Sequence, residues 1–108
     1  MEYRYAKIYV RNRYAGKLSE TEEGYVFQYS LEYLSDIEAS SVSLTLPLQE
    51  EKFFSKTLFP FFDGLIPEGW LLDVVTHNWK LDPRDRFGIL MITCKDCIGN
   101  VSVREDII

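Results

Sequence analysis

The hydrophobic period of this chain changes at Pro47, and that change constrains the fold more than any single motif. Before it, apolar residues recur at every second position, as in half-buried strands. After it, they recur at helical spacing. Ala6, Ile8 and Val10 alternate with Lys7, Tyr9 and Arg11, which predicts a strand over Ala6–Val10. Asn12 and Gly16 supply turn chemistry, so Ala15–Leu18 returns as a second short strand. Gly24 opens Tyr25–Tyr29, a third strand with aromatics at alternate positions. Leu31, Leu34 and Ile37 recur every three residues within Ser30–Ser40, the pattern of a helical turn or a packed loop. Val42, Leu44 and Leu46 predict another strand, which ends at Pro47 because proline has no N–H to give to a ladder.

Beyond Pro47, Thr57–Leu65 reads as a short helix closed by Gly64 and Pro67, and Glu68–Leu81 as a longer one. A third helix is predicted over Pro83–Thr93, with Asp82 as its N-cap and Pro83 in the first helical position. Val101 and Val103 alternate with Ser102 and Arg104 as a final strand. Strands first, helices next and a closing strand predict an α+β fold: a mainly antiparallel sheet with about three helices packed on one face. At 108 residues the chain has the length of one domain, able to bury roughly two-thirds of its extended surface. A composition 46% hydrophobic and 15% aromatic is rich enough to offset the ordering entropy.

Charge and motifs exclude several functions. With 12 basic against 17 acidic residues the net charge is -5, a field that repels nucleic acid. Arg11 and Arg13, flanked by Arg4 and Lys7, form the nearest thing to a basic patch. They fall around a predicted hairpin, where a solvated turn accounts for them. No apolar run approaches the roughly 20 residues that span a bilayer, and MEYRYAKIYV lacks the apolar core of a secretory signal, so a cytoplasmic location is expected. Cys94-Lys95-Asp96-Cys97 is formally a C-x-x-C, but it follows a predicted helix instead of starting one, the wrong end for stabilising a thiolate. Zinc would need two more ligands, and the sole histidine, His77, stands seventeen residues upstream. His77 follows Asp73 at i,i+4, a spacing that an exposed pair satisfies without any nucleophile nearby. Asp63 and Glu68 straddle a turn, and turn or cap roles explain both. Phosphate-binding G-x-x-x-x-G-K-[ST], dinucleotide G-x-G-x-x-G and kinase H-R-D and D-F-G signatures are all missing. The reading is therefore a non-enzyme with no catalytic residue, metal or cofactor.

Several tracts stand in the order of one known module. They are Ser43-Leu44-Thr45-Leu46-Pro47-Leu48, then Pro60-Phe61-Phe62-Asp63-Gly64-Leu65-Ile66-Pro67-Glu68-Gly69. Leu81-Asp82-Pro83-Arg84-Asp85-Arg86-Phe87-Gly88 and Asp96-Cys97-Ile98-Gly99-Asn100-Val101-Ser102-Val103 follow. Together they resemble the N-terminal subdomain of the HipA-family Ser/Thr kinases, toxins of type II toxin–antitoxin systems, over nearly the whole chain. Ile66 stands where leucine is common, and Cys94 is outside the pattern. The kinase's nucleotide site and catalytic aspartate have no counterpart here. The resemblance narrows to the small HipS-type protein of tripartite HipBST systems, in which the kinase is a separate HipT and the DNA-binding protein is HipB-like. It implies an antitoxin that binds and inhibits a HipT-like kinase within a ternary complex, touching neither nucleic acid nor membrane itself. By analogy, the kinase's target is an aminoacyl-tRNA synthetase. The alternative is a non-inhibitory structural subunit that completes or dimerises the kinase complex.

Under that resemblance the partner-binding residues are Phe61, Phe62, Asp63, Pro67, Glu68, Gly69 and Trp70. A helical wheel over Glu68–Leu81 centres its apolar arc on Leu71, Val75, Leu72 and Trp79. Trp79 is thus expected in the core and Trp70, at the edge of the arc, on the surface. A tryptophan beside a rigid Pro-Glu-Gly corner suits an interface anchor, because it buries much area at little entropic cost, and equally suits a cap over the core.

Overall fold

A computed structural model of the chain describes residues 3–77, 82–93 and 101–105. Strand β1 (Tyr5–Val10) buries Ala6, Ile8 and Val10 on one face, as its alternation dictates. Arg11 and Asn12 then both take positive φ, 51° and 67°, the paired left-handed geometry of a type I′ hairpin turn. Strand β2 (Arg13–Glu20) returns antiparallel, and β3 (Tyr25–Tyr29) continues the meander. Two further strands complete the sheet, β4 (Phe53–Ser55) beside β3 and β5 (Val101–Glu105) beside β1. The five-stranded order is β4-β3-β2-β1-β5, antiparallel throughout.

The described residues include four helices where about three were expected: α1 (Leu31–Leu34), α2 (Pro60–Asp63), α3 (Trp70–His77) and α4 (Arg86–Thr93). Side chains of α1, α2 and α4 join the inward strand residues in one cluster, with Ile8, Leu18, Phe27, Phe62, Phe87, Leu90 and Val103 fully buried. On the other face, cations cover aromatic rings. Lys17 Nζ lies 4.8 Å from the Tyr5 centroid and the Arg104 guanidinium 4.3 Å from that of Tyr9.

The strand expected over Val42–Leu46 is replaced by a tight turn with a single bridge between Ser43 and Leu46. Its backbone is claimed by a side chain before any ladder can claim it. The Tyr29 hydroxyl accepts the Val42 N–H at 2.9 Å and donates to the Leu46 carbonyl. Tyr33, stacked on Tyr29 at 6.2 Å and 6°, likewise bonds both the N–H and the carbonyl of Ser40. Leu44, expected to alternate inward, is left 97% exposed at the tip of this turn. The last two helices also begin later than their patterns predict. Asp82 accepts the Arg84 N–H (2.9 Å) in a Pro83 turn closed by Asp85 N–H to Asp82 O, so Asp85, not Asp82, is the N-cap of α4. Its carboxylate accepts the Gly88 N–H at 3.1 Å.

Candidate functional site

The stretch Phe59–Trp70 makes one compact corner. Pro60 opens α2, where its missing N–H leaves nothing unpaired. Phe62 then points inward, its ring 5.6 Å from Phe27, 6.1 Å from Phe59 and 5.3 Å from Phe61. Asp63 ends the helix on its outer side. Leu65 and Ile66 lean on the core, after which Pro67, Glu68 and Gly69 are exposed. Gly69 has φ 80°, a left-handed conformation that residues with a Cβ rarely adopt. Its carbonyl accepts the Leu72 N–H, and Trp70 N–H bonds Pro67 O at 3.2 Å, so the corner turns directly into α3.

Three helices meet beside that corner. Arg86, the first residue of α4, donates Nε to Asp63 Oδ1 of α2 at 2.7 Å, and its guanidinium carbon lies 5.9 Å from the centroid of Trp70 in α3. Trp70 is half-buried. Leu71 and Leu72, which the wheel turned toward the core, are 49% and 73% exposed. The helix packs against α4 rather than lying flat on the sheet, and the wheel cannot say which neighbour covers an arc.

The partner-binding residues expected from sequence therefore divide. Asp63, Pro67, Glu68, Gly69 and Trp70 share one accessible corner, Phe61 is half-buried, and Phe62, with 0% exposure, belongs to the core. Sequence reasoning missed Arg86, 23 residues from Asp63, and no local signal connects the two. Trp79, Cys94 and Cys97 lie outside the described residues, as do the side chains of Asp73 and His77. Among the described residues no group of His, Cys, Asp or Glu is arranged to hold a metal ion, and no helix is long and apolar enough to cross a membrane.

Asp63, Arg86 and Arg4 all line a cleft of about 670 Å³. Arg4 donates Nη1 and Nη2 to the two oxygens of Asp85 (2.7 and 2.9 Å) and Nε and Nη2 to those of Glu20 (3.0 and 2.9 Å). It also lies 5.3 Å from the Phe87 centroid. A Cβ on Gly88 would collide with the Asp85 carboxylate, so glycine is what lets this clasp close over the start of α4. The guanidinium's hydrogen bonds hold both carboxyls below their usual range, and those carboxylates raise the pKa of Arg4. Glu20 and Asp85 are thus kept ionised, unsuited to delivering a proton near neutrality.

Because the folded state depresses both pKa values, the clasp stabilises the fold above the ordinary carboxylate range of about 4, and that contribution is lost as pH falls through the depressed values. Arg4→Gln is expected to lower stability at pH 7 by about 1–2 kcal/mol, with the gap from wild type closing in strong acid. Denaturant midpoints measured across pH check this, and parallel curves for the two proteins would refute it.

Comparison with known proteins agrees with this architecture. A family model of HipA N-terminal domains matches residues 6–104. A Haemophilus influenzae (strain Rd) protein described as uncharacterized is 31% identical over 103 residues, covering 95% of this chain and 93% of that protein. A solved structure, the N-terminal domain of HipA toxin, superposes with a TM-score of 0.72 at 29% identity, over 96% of this chain and 93% of that one. Fold, sequence and the order of the motifs agree, and the chain belongs to the family of HipA N-terminal domains.

Proposed function

We propose that this chain is a HipS-type antitoxin: it binds a separate HipT-like Ser/Thr kinase of the HipA family and suppresses phosphorylation. Its role is binding, not catalysis, and it acts in the cytoplasm beside a HipB-like DNA-binding protein in a ternary complex. The observation that carries the reading is the corner at Trp70. There a half-buried indole stands beside two exposed leucines, Leu71 and Leu72, on a family domain that shows no nucleotide or kinase fingerprint of its own. Large apolar side chains grouped on a surface mark interaction sites, and tryptophan is over-represented among residues that dominate binding. The Haemophilus relative, 93% of which is matched, is itself almost wholly this domain. This supports a role for the domain apart from a kinase chain. In this reading the corner docks at or near the kinase's substrate or nucleotide cleft, or blocks a motion that the kinase requires.

The test is phosphorylation by the HipT-like kinase encoded beside the gene while the purified chain is titrated in. Activity is expected to fall to background near one equivalent. If the two proteins co-elute but activity holds or rises, the chain is instead a structural or activating subunit.

A further inference from the structure

We infer that Arg86 is a positioning residue for Trp70, fixing the orientation of the half-buried indole before any partner arrives. The inference rests on the reading of Trp70 as a docking residue. Trp70 follows three exposed residues, one of them a glycine in the left-handed region, and is itself half-buried. Leu71 and Leu72, next in α3, are also exposed and provide no wall. The polar contact on the half-buried indole is the Arg86 guanidinium at 5.9 Å, within the reach of a cation–π contact. That guanidinium is in turn held by Asp63 at 2.7 Å. A planar cation on one carboxylate presents a face of fixed direction, which the round ammonium of lysine does not. Each of the three residues belongs to a different helix, so the orientation of Trp70 depends on how α2, α3 and α4 are assembled. Ordering a contact residue in advance removes an entropic cost from binding.

Arg84 provides an internal control. It lines the same cleft two residues away, yet its side chain is 92% exposed and, among the described residues, pairs with Asp82 at 3.4 Å. Removing it changes net charge as removing Arg86 does, without touching the indole.

The experiment joins two readouts: ¹⁵N relaxation of the Trp70 indole N–H in the free chain, and affinity for the HipT-like kinase. Arg86→Gln, Arg86→Lys and Asp63→Asn are expected to loosen the indole while leaving backbone order in the sheet unchanged. Each should weaken binding about two- to fivefold and add nothing once Trp70→Ala is present. Arg84→Gln should leave the indole unchanged. An indole as ordered in Arg86→Gln as in wild type overturns the inference, as do losses that simply add to that of Trp70→Ala. If Trp70→Ala binds as tightly as wild type, it is the docking reading that falls. The relaxation data still decide, independently, whether Arg86 orders the side chain.

Discussion

Phe62→Ala is expected to cost about 3–5 kcal/mol of folding stability, the range for emptying a fully buried aromatic site. Its ring touches those of Phe27, Phe59 and Phe61 and joins α2 to the sheet, so neighbours on both sides lose contacts that cannot re-form without moving the helix. Small domains have about 5–15 kcal/mol in total, so a large share of stability disappears with one side chain. Chemical denaturation monitored by circular dichroism measures it. A loss below about 1 kcal/mol would mean the ring is not part of the core. Where the loss reaches the expected range, failure of this variant to bind a kinase reflects the damaged core and says nothing about contact.

Trp70→Ala has the opposite profile. Its half-buried indole lies at the outer edge of the helical layer, so the melting midpoint should move little. Binding to the HipT-like kinase should weaken by roughly 2 kcal/mol, about thirtyfold, if the residue is the anchor of the interface. Calorimetric titration of both proteins gives affinity, and a thermal melt of the free variant gives stability. Wild-type affinity in Trp70→Ala removes the anchor assignment. A large drop in midpoint makes Trp70 a core cap instead. Phe62 and Trp70 stand eight residues apart in one motif, and the two measurements separate what holds the motif in shape from what it presents.

How far the sequence discloses this arrangement depends on the range of each interaction. The meander of β1, β2 and β3 is readable because alternation and turn residues are local signals, and α+β follows from their order. Strand β4 is not: Phe53–Ser55 is too short to alternate, and it exists because β3 offers it an edge. The turn at Val42–Leu46 keeps a strand-like pattern, yet the Tyr29 hydroxyl takes its hydrogen bonds from 13 and 17 residues away. At α4 two aspartates compete for the cap; Asp82 is taken up by its own turn with Arg84, and Asp85, which caps the helix, is also held by Arg4, 81 residues distant. The candidate site divides in the same way. Its exposed corner is announced by Pro67-Glu68-Gly69, whereas the inward turn of Phe62 and the approach of Arg86 to Trp70 arise only from tertiary packing.

The pairing of β1 with β5, which sets Ala6 opposite Glu105, bears on biosynthesis. Strand β1 can form its hairpin with β2 as soon as both are made, but its other edge stays open until residues 101–105 have been made. Such a contact, near the greatest separation the chain allows, makes closure of the sheet a late event. An unpaired edge on a nascent strand invites pairing with another chain. Translational stalling between α4 and β5 would therefore leave an aggregation-prone intermediate, with the edge of β1 that β5 covers still unpaired.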